Sequence, residues 1–408
     1  MTTAAKRLQP DQSLKCERAF VMQANADCPW ASEMVLNPAV IEDPASKRLH
    51  MLFRATGPFS NLQHAGQPAP YPISLGYAYS DNGGDTWTVD LSKPCLFPAL
   101  HQKLDDMYTT NARGERVVNY ANGCIEDPRL FMLEGACYMT VACRMFAPGP
   151  YWIKDDPMQC APSWAAATEH PFGRAASENV TVSVLYKVDL ESLSVGNYAS
   201  AFQYVCNLTD PEIGENRDVI VFPEKLHILG KDRYVALHRP WEISRYGSLS
   251  AEQKPSIVMC YSDTIEGLAY EKASQEVLAG PLFDWEGNRI GASGPLVKIS
   301  DNEWLLSYHG KQDATVGYTQ SFMILEVRDG NMPKVIHRCS ERVMFPVEDW
   351  EMPGRFKTPV IFITGMLAVK DRLLIAYGAA DERVGIAWFS LSNVLDYTRQ
   401  FNAVGERA

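Results

Sequence analysis

The sequence contains no apolar run approaching the ~20 residues that a membrane-spanning helix needs. Its first ten residues lack the apolar segment of a secretory signal. These two absences predict a cytoplasmic protein with no membrane partner. Cysteine is too scarce for a disulfide scaffold: there are 10 in 408 residues, none spaced Cys-x-x-Cys and none grouped with histidine at zinc spacing. The thiols are expected to be reduced and mostly buried, and neither a metal nor an organic cofactor is implied. Positive charge is in deficit as well. Lys and Arg number 38 against 49 Asp and Glu, a net charge of −11, which disfavours nucleic acid as a partner. Any anion site must then be a local cationic pocket.

What is present is ordinary for a globular chain, with 46% apolar and 21% charged residues. The length allows two or three average domains, or one large β domain. Internal repetition favours the second. Prolines at 38, 128, 223, 295 and 359 each sit beside a short apolar run, at 37–41, 127–131, 222–226, 294–298 and 358–362. A polar turn and a second β-rich run follow each, at 50–55, 138–144, 234–239, 304–310 and 373–378. A third run follows at 75–79, 182–186, 257–261, 322–326 and 384–388. The prolines advance by 90, 95, 72 and 64 residues, so the unit is a small sheet with variable insertions rather than a tight solenoid repeat. The predicted fold is all-β: a five-bladed β-propeller over 34–395, with an N-terminal arm at 1–33 and a C-terminal tail at 396–408. The Ser-x-Asn-x-Gly-x-Thr-Trp turn at 80–87 agrees with propeller blades. Residues 146–178, rich in proline and carrying Trp152 and Trp164, read as a long loop insertion in the second blade that shapes a binding site. The arm is a candidate contact with a blade or, in a homo-oligomer, with a neighbouring subunit.

In a propeller the innermost strands converge on an axis. Taking the proline-marked strands as innermost places Asn37, Asp127, Lys225 and the 289–293 turn near one mouth. The second strands end in Arg54, Arg144, Arg239 and His309, a concentration of cations in an acidic chain. Glu126 and Asp127 are adjacent on an expected strand, so only one of them should face the channel. One carboxylic acid in a confined site can protonate a glycosidic oxygen. A hydrolase would need a second carboxylate at a defined separation. A phosphorylase would need cationic and hydroxyl donors for phosphate instead, and Lys225, Arg239, Tyr308 and His309 are of the right types.

These residues stand in segments that resemble glycoside hydrolase family 130, the β-mannoside phosphorylases and related enzymes. The segments are 37–39, 52–55, 75–81, Gly-x-x-Glu-Asp-Pro-Arg at 123–129, Asn-Arg-Asp at 216–218, 222–225, 237–239, 289–292, 307–310 and 377–381, in family order. The resemblance implies a five-bladed propeller and inverting phosphorolysis of a terminal β-mannoside or manno-oligosaccharide, with inorganic phosphate as co-substrate and α-mannose 1-phosphate as product. It implies Asp127 as the single proton donor, acting through the 3-hydroxyl of the mannosyl ring. It carries Lys225, Arg239, Tyr308, His309 and Arg217 over as phosphate ligands, and Arg54, Asn37 and Asp381 as residues holding the mannosyl unit. The 289–296 segment and the 146–178 loop depart from the family pattern, so the acceptor sugar stays open. Two other readings remain: an inverting β-mannosidase using Glu224 or Glu242 to activate water, and a non-catalytic sugar-binding propeller.

Overall fold

A computed structural model describes the chain except for residues 1–13, 58–62, 65–66, 69–72, 149–160, 168, 246–252, 271–273, 314, 355–356 and 408. The protein is mostly β-structure with few helices. Strands β2 (Met34–Glu42), β3 (Leu49–Thr56), β4 (Ile73–Ser80) and β5 (Thr88–Asp90) form an antiparallel meander. A second meander holds β6 (Cys124–Leu133), β7 (Ala136–Arg144), β8 (Val182–Val188) and β9 (Phe202–Asn207). One parallel pair, Cys124 with Ile73, joins the two into an eight-stranded sheet. A separate sheet contains β10 (Asn216–Val221), β11 (Lys231–Pro240), β12 (Ile257–Ser262) and β13 (Glu276–Ala279). The next contains β14 (Arg289–Ala292), β15 (Glu303–Lys311), β16 (Tyr318–Glu326) and β17 (Lys334–Arg338). In the last, β18 (Ile361–Val369), β19 (Arg372–Ala379) and β20 (Arg383–Ser390) are completed by β1 (Glu17–Gln23) from the other end of the chain.

The inner strands are apolar on both faces because each sheet is covered there on both sides by its neighbours. Leu52, Leu75, Ile125 and Val141 join the first two meanders. Leu133 and Val219 join the second to the β10–β13 sheet. Phe222 and Trp304 lie between that sheet and the next, Ile324 and Ile375 between β14–β17 and the last, and Phe53 and Ile386 between the last and the first. No described helix is long and apolar enough to cross a membrane.

The second and third runs of each repeat are strands where the sequence predicts them. The proline register fails in three repeats. Pro295 lies outside a strand, between β14 and the short pairing at Val297–Lys298. In the β10–β13 sheet the first strand is 216–221, and Pro223 stands in the turn after it. In the last sheet β18 begins at Ile361, after Pro359. Proline cannot donate to a strand ladder, so it marks a strand's ends or bulges with equal ease.

The feature that recurs in the first strands is a β-bulge. Pairing slips between Leu36 and Ala39, Glu126 and Arg129, Arg217 and Ile220, and Ile363 and Gly365. In the first three of these strands the bulged residue is left-handed: Asn37, Asp127 and Asp218 have φ of 47°, 52° and 59°. Asn and Asp tolerate that conformation better than other non-glycine residues. A bulge re-aims a side chain, and here it turns three amide or carboxylate groups toward one another.

Of the segment expected as an arm, residues 17–23 are strand β1, and residues 1–13 lie outside the described set. The helix Leu391–Thr398 and buried Phe401 pack the C-terminal residues beside Cys339. The 146–178 loop does lie between β7 and β8. Its described part makes a small apolar cluster of Phe146, Phe172 and Ala176 with Met107, and Trp164 donates to the Gln102 carbonyl at 2.9 Å. Trp152 lies outside the described residues.

Candidate active site

The bulge at Asp127 overturns the expectation that only one of two adjacent carboxylates can face the site. Glu126 and Asp127 reach the same guanidinium: Arg54 Nη1 lies 2.9 Å from Glu126 Oε2 and 3.1 Å from Asp127 Oδ1. Asn37 Nδ2 donates to the same Asp127 oxygen at 2.7 Å. Close packing fixes Asn37 in turn, since a Cβ on Gly378 would fall 2.2 Å from Asn37 Oδ1. Burial alone would raise the Asp127 carboxyl, but Arg54 and the Asn37 amide, then Arg129 and Arg217, hold it below the ordinary range.

Asp218 anchors the other half. Its Oδ2 accepts from Arg239 Nε at 2.6 Å, its Oδ1 from Arg129 Nη2 at 3.2 Å, and His309 Nε2 stands 3.4 Å from Oδ2. Burial opposes its charge, yet Arg239, His309 and Arg129 hold it well below the usual carboxylate range. A Cβ on Gly291 would lie 2.6 Å from both Asp218 Oδ2 and His309 Nε2, so only glycine fits there. Arg129 ties the halves together: its Nη1 donates to the Asp127 carbonyl at 3.2 Å and its Nε to the Ser293 carbonyl at 2.6 Å.

The His309 tautomer follows from its network. Gln320 Nε2 donates to the Ile361 carbonyl, Ser293 Oγ donates to Gln320 Oε1 at 2.7 Å, and Ser293 Oγ must then accept from His309 Nδ1 at 3.0 Å. Burial pushes His309 toward its neutral form. Nε2 is buried and faces Asp218 Oδ2.

Arg217 and Arg239 are directly opposite on β10 and β11. Arg217 is held by Glu215 (Nε, 2.9 Å) and Glu126 (Nη1, 3.4 Å), and Arg239 by Asp218 through Nε. Arg217 Nη2 has no hydrogen bond to the described residues, and the side chain keeps 23% of its exposure. Like charges facing across a ladder are unfavourable, and an anion bridging them would relieve that cost. Asp381, half-buried in the β19–β20 turn, is raised by burial to about 6, with Arg54 and Lys311 opposing and Asp127 reinforcing the shift.

Thus Asn37, Arg54, Asp127, Arg217, Arg239 and His309 come together, and Asp381 is electrostatically coupled to them. Two expected phosphate ligands do not join. Lys225 is exposed, pairs with Glu134 at 2.8 Å, and lies over the Tyr234 ring. Those partners lie seven and five residues, about 23 and 17 Å, along the strands from Asp127 and Arg239. The shift in proline register is the reason: the residue equivalent to Asn37 and Asp127 is Asp218, not Lys225. Tyr308 points to the other face of β15 from His309, with its hydroxyl on the Cys339 carbonyl at 3.0 Å and its ring against Trp285. Sequence reasoning missed Arg129, Asp218 and Glu215, while Ser293 belongs to the 289–293 turn it placed near the mouth. The first two stood inside the matched motifs.

Comparison with known proteins places this geometry. A family profile described as "beta-1,4-mannooligosaccharide phosphorylase", that of glycoside hydrolase family 130, matches residues 191–400. A 1,2-β-oligomannan phosphorylase of Thermoanaerobacter sp. (strain X514) is 27% identical over 92% of this chain and 96% of its own. A β-1,4-mannooligosaccharide phosphorylase of Ruminococcus albus is 29% identical over 46% of this chain and 52% of its own. Among solved structures, the β-1,2-mannobiose phosphorylase of Listeria innocua, in complex with β-1,2-mannobiose, superposes with a TM-score of 0.59 at 17% identity, covering 96% of this chain and 95% of that one. The chain is an enzyme of glycoside hydrolase family 130.

Proposed function

We propose that this enzyme carries out inverting phosphorolysis of a terminal β-mannoside, giving α-mannose 1-phosphate and a shortened acceptor. The observation that carries the reading is the facing pair Arg217 and Arg239 beside the Asp127 carboxyl. Phosphate bridges the two guanidiniums and attacks the anomeric carbon. The glycosidic C–O bond breaks toward the acceptor, and the Asp127 proton reaches the leaving oxygen through the mannosyl 3-hydroxyl. Asn37, Arg54 and Asp381 hold the mannosyl unit. Arg54 and Arg217 disfavour a proton on Asp127 in the free enzyme, and a phosphate anion beside Arg217 offsets part of that effect. Phosphate therefore helps load the acid it works with.

The relatives' activities support phosphorolysis and differ among themselves in linkage. The ring of apolar contacts that passes from each sheet to the next and back to the first supports a propeller of five blades, closed by β1 and forming one catalytic unit. The hydrolase alternative lacks a base at either expected position: Glu224 pairs with Lys298 at 2.6 Å in an exposed turn, and Glu242 is held by Arg174 and Arg245. The test is the reverse reaction. With α-mannose 1-phosphate and a panel of acceptor sugars, phosphate release is expected with at least one acceptor, and Asp127→Asn should lose roughly 10²–10⁴-fold in rate. Cleavage of mannobioses in phosphate-free buffer, with no phosphate release from any acceptor, would overturn the reading.

A further inference from the structure

Glu126 has no part in the scheme above, yet it is 2% exposed and lies between the acid and the cations. Its Oε2 is shared by Arg54 Nη1 at 2.9 Å and Arg217 Nη1 at 3.4 Å, and its Oε1 accepts from the Cys124 thiol at 3.3 Å. Arg217 is thus gripped on two edges, Nε by Glu215 and Nη1 by Glu126. Nη2 is left over. Glu215 is itself fixed by Arg144, the Thr181 amide and the Thr181 hydroxyl.

A third carboxylate competes for the same guanidinium. Asp127 and Arg217 stabilise each other's charge, and Asp127 already shares Arg54 Nη1 with Glu126. An Arg217–Asp127 ion pair would disable both groups at once: the acid would hold its proton less well, and the cation would be turned from phosphate. We propose that Glu126 is a positioning residue that keeps Arg217 off Asp127 and open to phosphate. The inference rests on the phosphorolysis reading.

The bulge makes this arrangement available. In a regular strand Glu126 and Asp127 would point to opposite faces, whereas the left-handed Asp127 puts neighbouring carboxylates on one guanidinium.

The test is Glu126→Gln, which keeps the shape but removes the charge and replaces one acceptor oxygen by an NH2 donor. The Michaelis constant for phosphate should rise about tenfold, the loss of one charge-assisted contact, while that for the mannoside stays within about threefold. Calorimetric titration of the protein with inorganic phosphate should show the same weakening. A purely structural ion pair predicts a lower melting temperature with both constants unchanged, and that result would overturn the proposal. Wild-type enzyme is measured first. If it neither binds phosphate nor needs it for turnover, the function reading fails. If it does both and Glu126→Gln matches it, only the positioning role fails. Should Glu126→Gln not fold, Glu126→Asp keeps the charge but withdraws it by one methylene. Its phosphate constant must still rise, and a wild-type value would reject the proposal.

Discussion

Two kinds of buried arginine–carboxylate cluster occur in this fold, and they differ in whether they are closed. Asp349-Trp350-Glu351 and Asp284-Trp285-Glu286 form matching 3-10 turns under the last sheet and the β14–β17 sheet. Glu351 accepts from Arg18, from the Tyr377 hydroxyl at 2.6 Å and from the amides of Val347 and Glu348. Glu286 is held by Arg338 and by the amides of Leu282 and Phe283. Trp350 stacks on Tyr377, and Trp285 lies against Tyr308. Glu351 is saturated by the protein itself, whereas Glu286 Oε1 and Arg338 Nε, both buried, make no hydrogen bond to a described residue. Around Asp127 and Asp218, Asp127 is held through Oδ1 and Asp218 through both oxygens, while Arg217 keeps an unused nitrogen edge. A closed cluster serves the fold, and an open one is a site waiting for a charged partner.

One substitution in each cluster sharpens the contrast. Arg217→Ala removes the open cation. Its carboxylates keep other partners, Glu126 having Arg54 and Glu215 having Arg144, so little stability should be lost. The Michaelis constant for phosphate should rise roughly 10–100-fold. Glu351→Gln does the reverse. Arg18, whose side chain is 8% exposed, loses its counter-charge, and β1 loses its side-chain tie to the turn that carries Glu351. Unfolding free energy should fall by about 3 kcal/mol with substrate constants unchanged. Denaturant unfolding and phosphate titration of both variants read the crossing directly. Parallel losses in both assays would mean the clusters are not functionally distinct.

Asp381 measures what the open cluster costs. No hydrogen bond to a described residue holds it, and burial raises its carboxyl from 3.8 to about 6. A carboxyl with a higher pKa when folded binds its proton more tightly in the native state. Its contribution is fully present below pH 4 and lost as pH rises through 6. Asp381→Asn escapes that loss. The variant should melt higher than wild type at pH 8, by on the order of 1 kcal/mol of stability, and the gain should vanish toward pH 4. A melting difference that is independent of pH would show that Asp381 is not held in a charge-averse position.

The second and third strands of each repeat were legible because both of their faces are buried, so apolar runs mark them. Family motifs singled out Asn37, Arg54, Asp127, Arg217, Arg239 and His309, and the fold brings these side chains together. What was not legible depends on the bulges. Strict alternation separates Glu126 from Asp127, and one left-handed residue reunites them. Counting from proline also misassigns the third repeat, because the bulged residue there, Asp218, is followed by Val219 rather than proline. The repeated Asp-Trp-Glu turns were visible in the sequence as well, and they would have marked Tyr308, like Tyr377, as the tyrosine that packs on the tryptophan.

The smallest expected effect therefore tests the register itself. Lys225→Ala should leave the Michaelis constant for phosphate within about twofold of wild type, because an exposed lysine paired with an exposed glutamate contributes little beyond its own neighbourhood. Tyr308→Phe should likewise spare phosphate binding while costing about 1 kcal/mol for the hydroxyl's bond to the Cys339 carbonyl. A tenfold rise in the phosphate constant with Lys225→Ala would place that side chain at the site and move the anion-binding centre away from the Asp218 bulge. Unchanged constants in both variants, beside a large effect of Arg217→Ala, would fix phosphate to the residues beside the Asp218 bulge rather than to those after the proline.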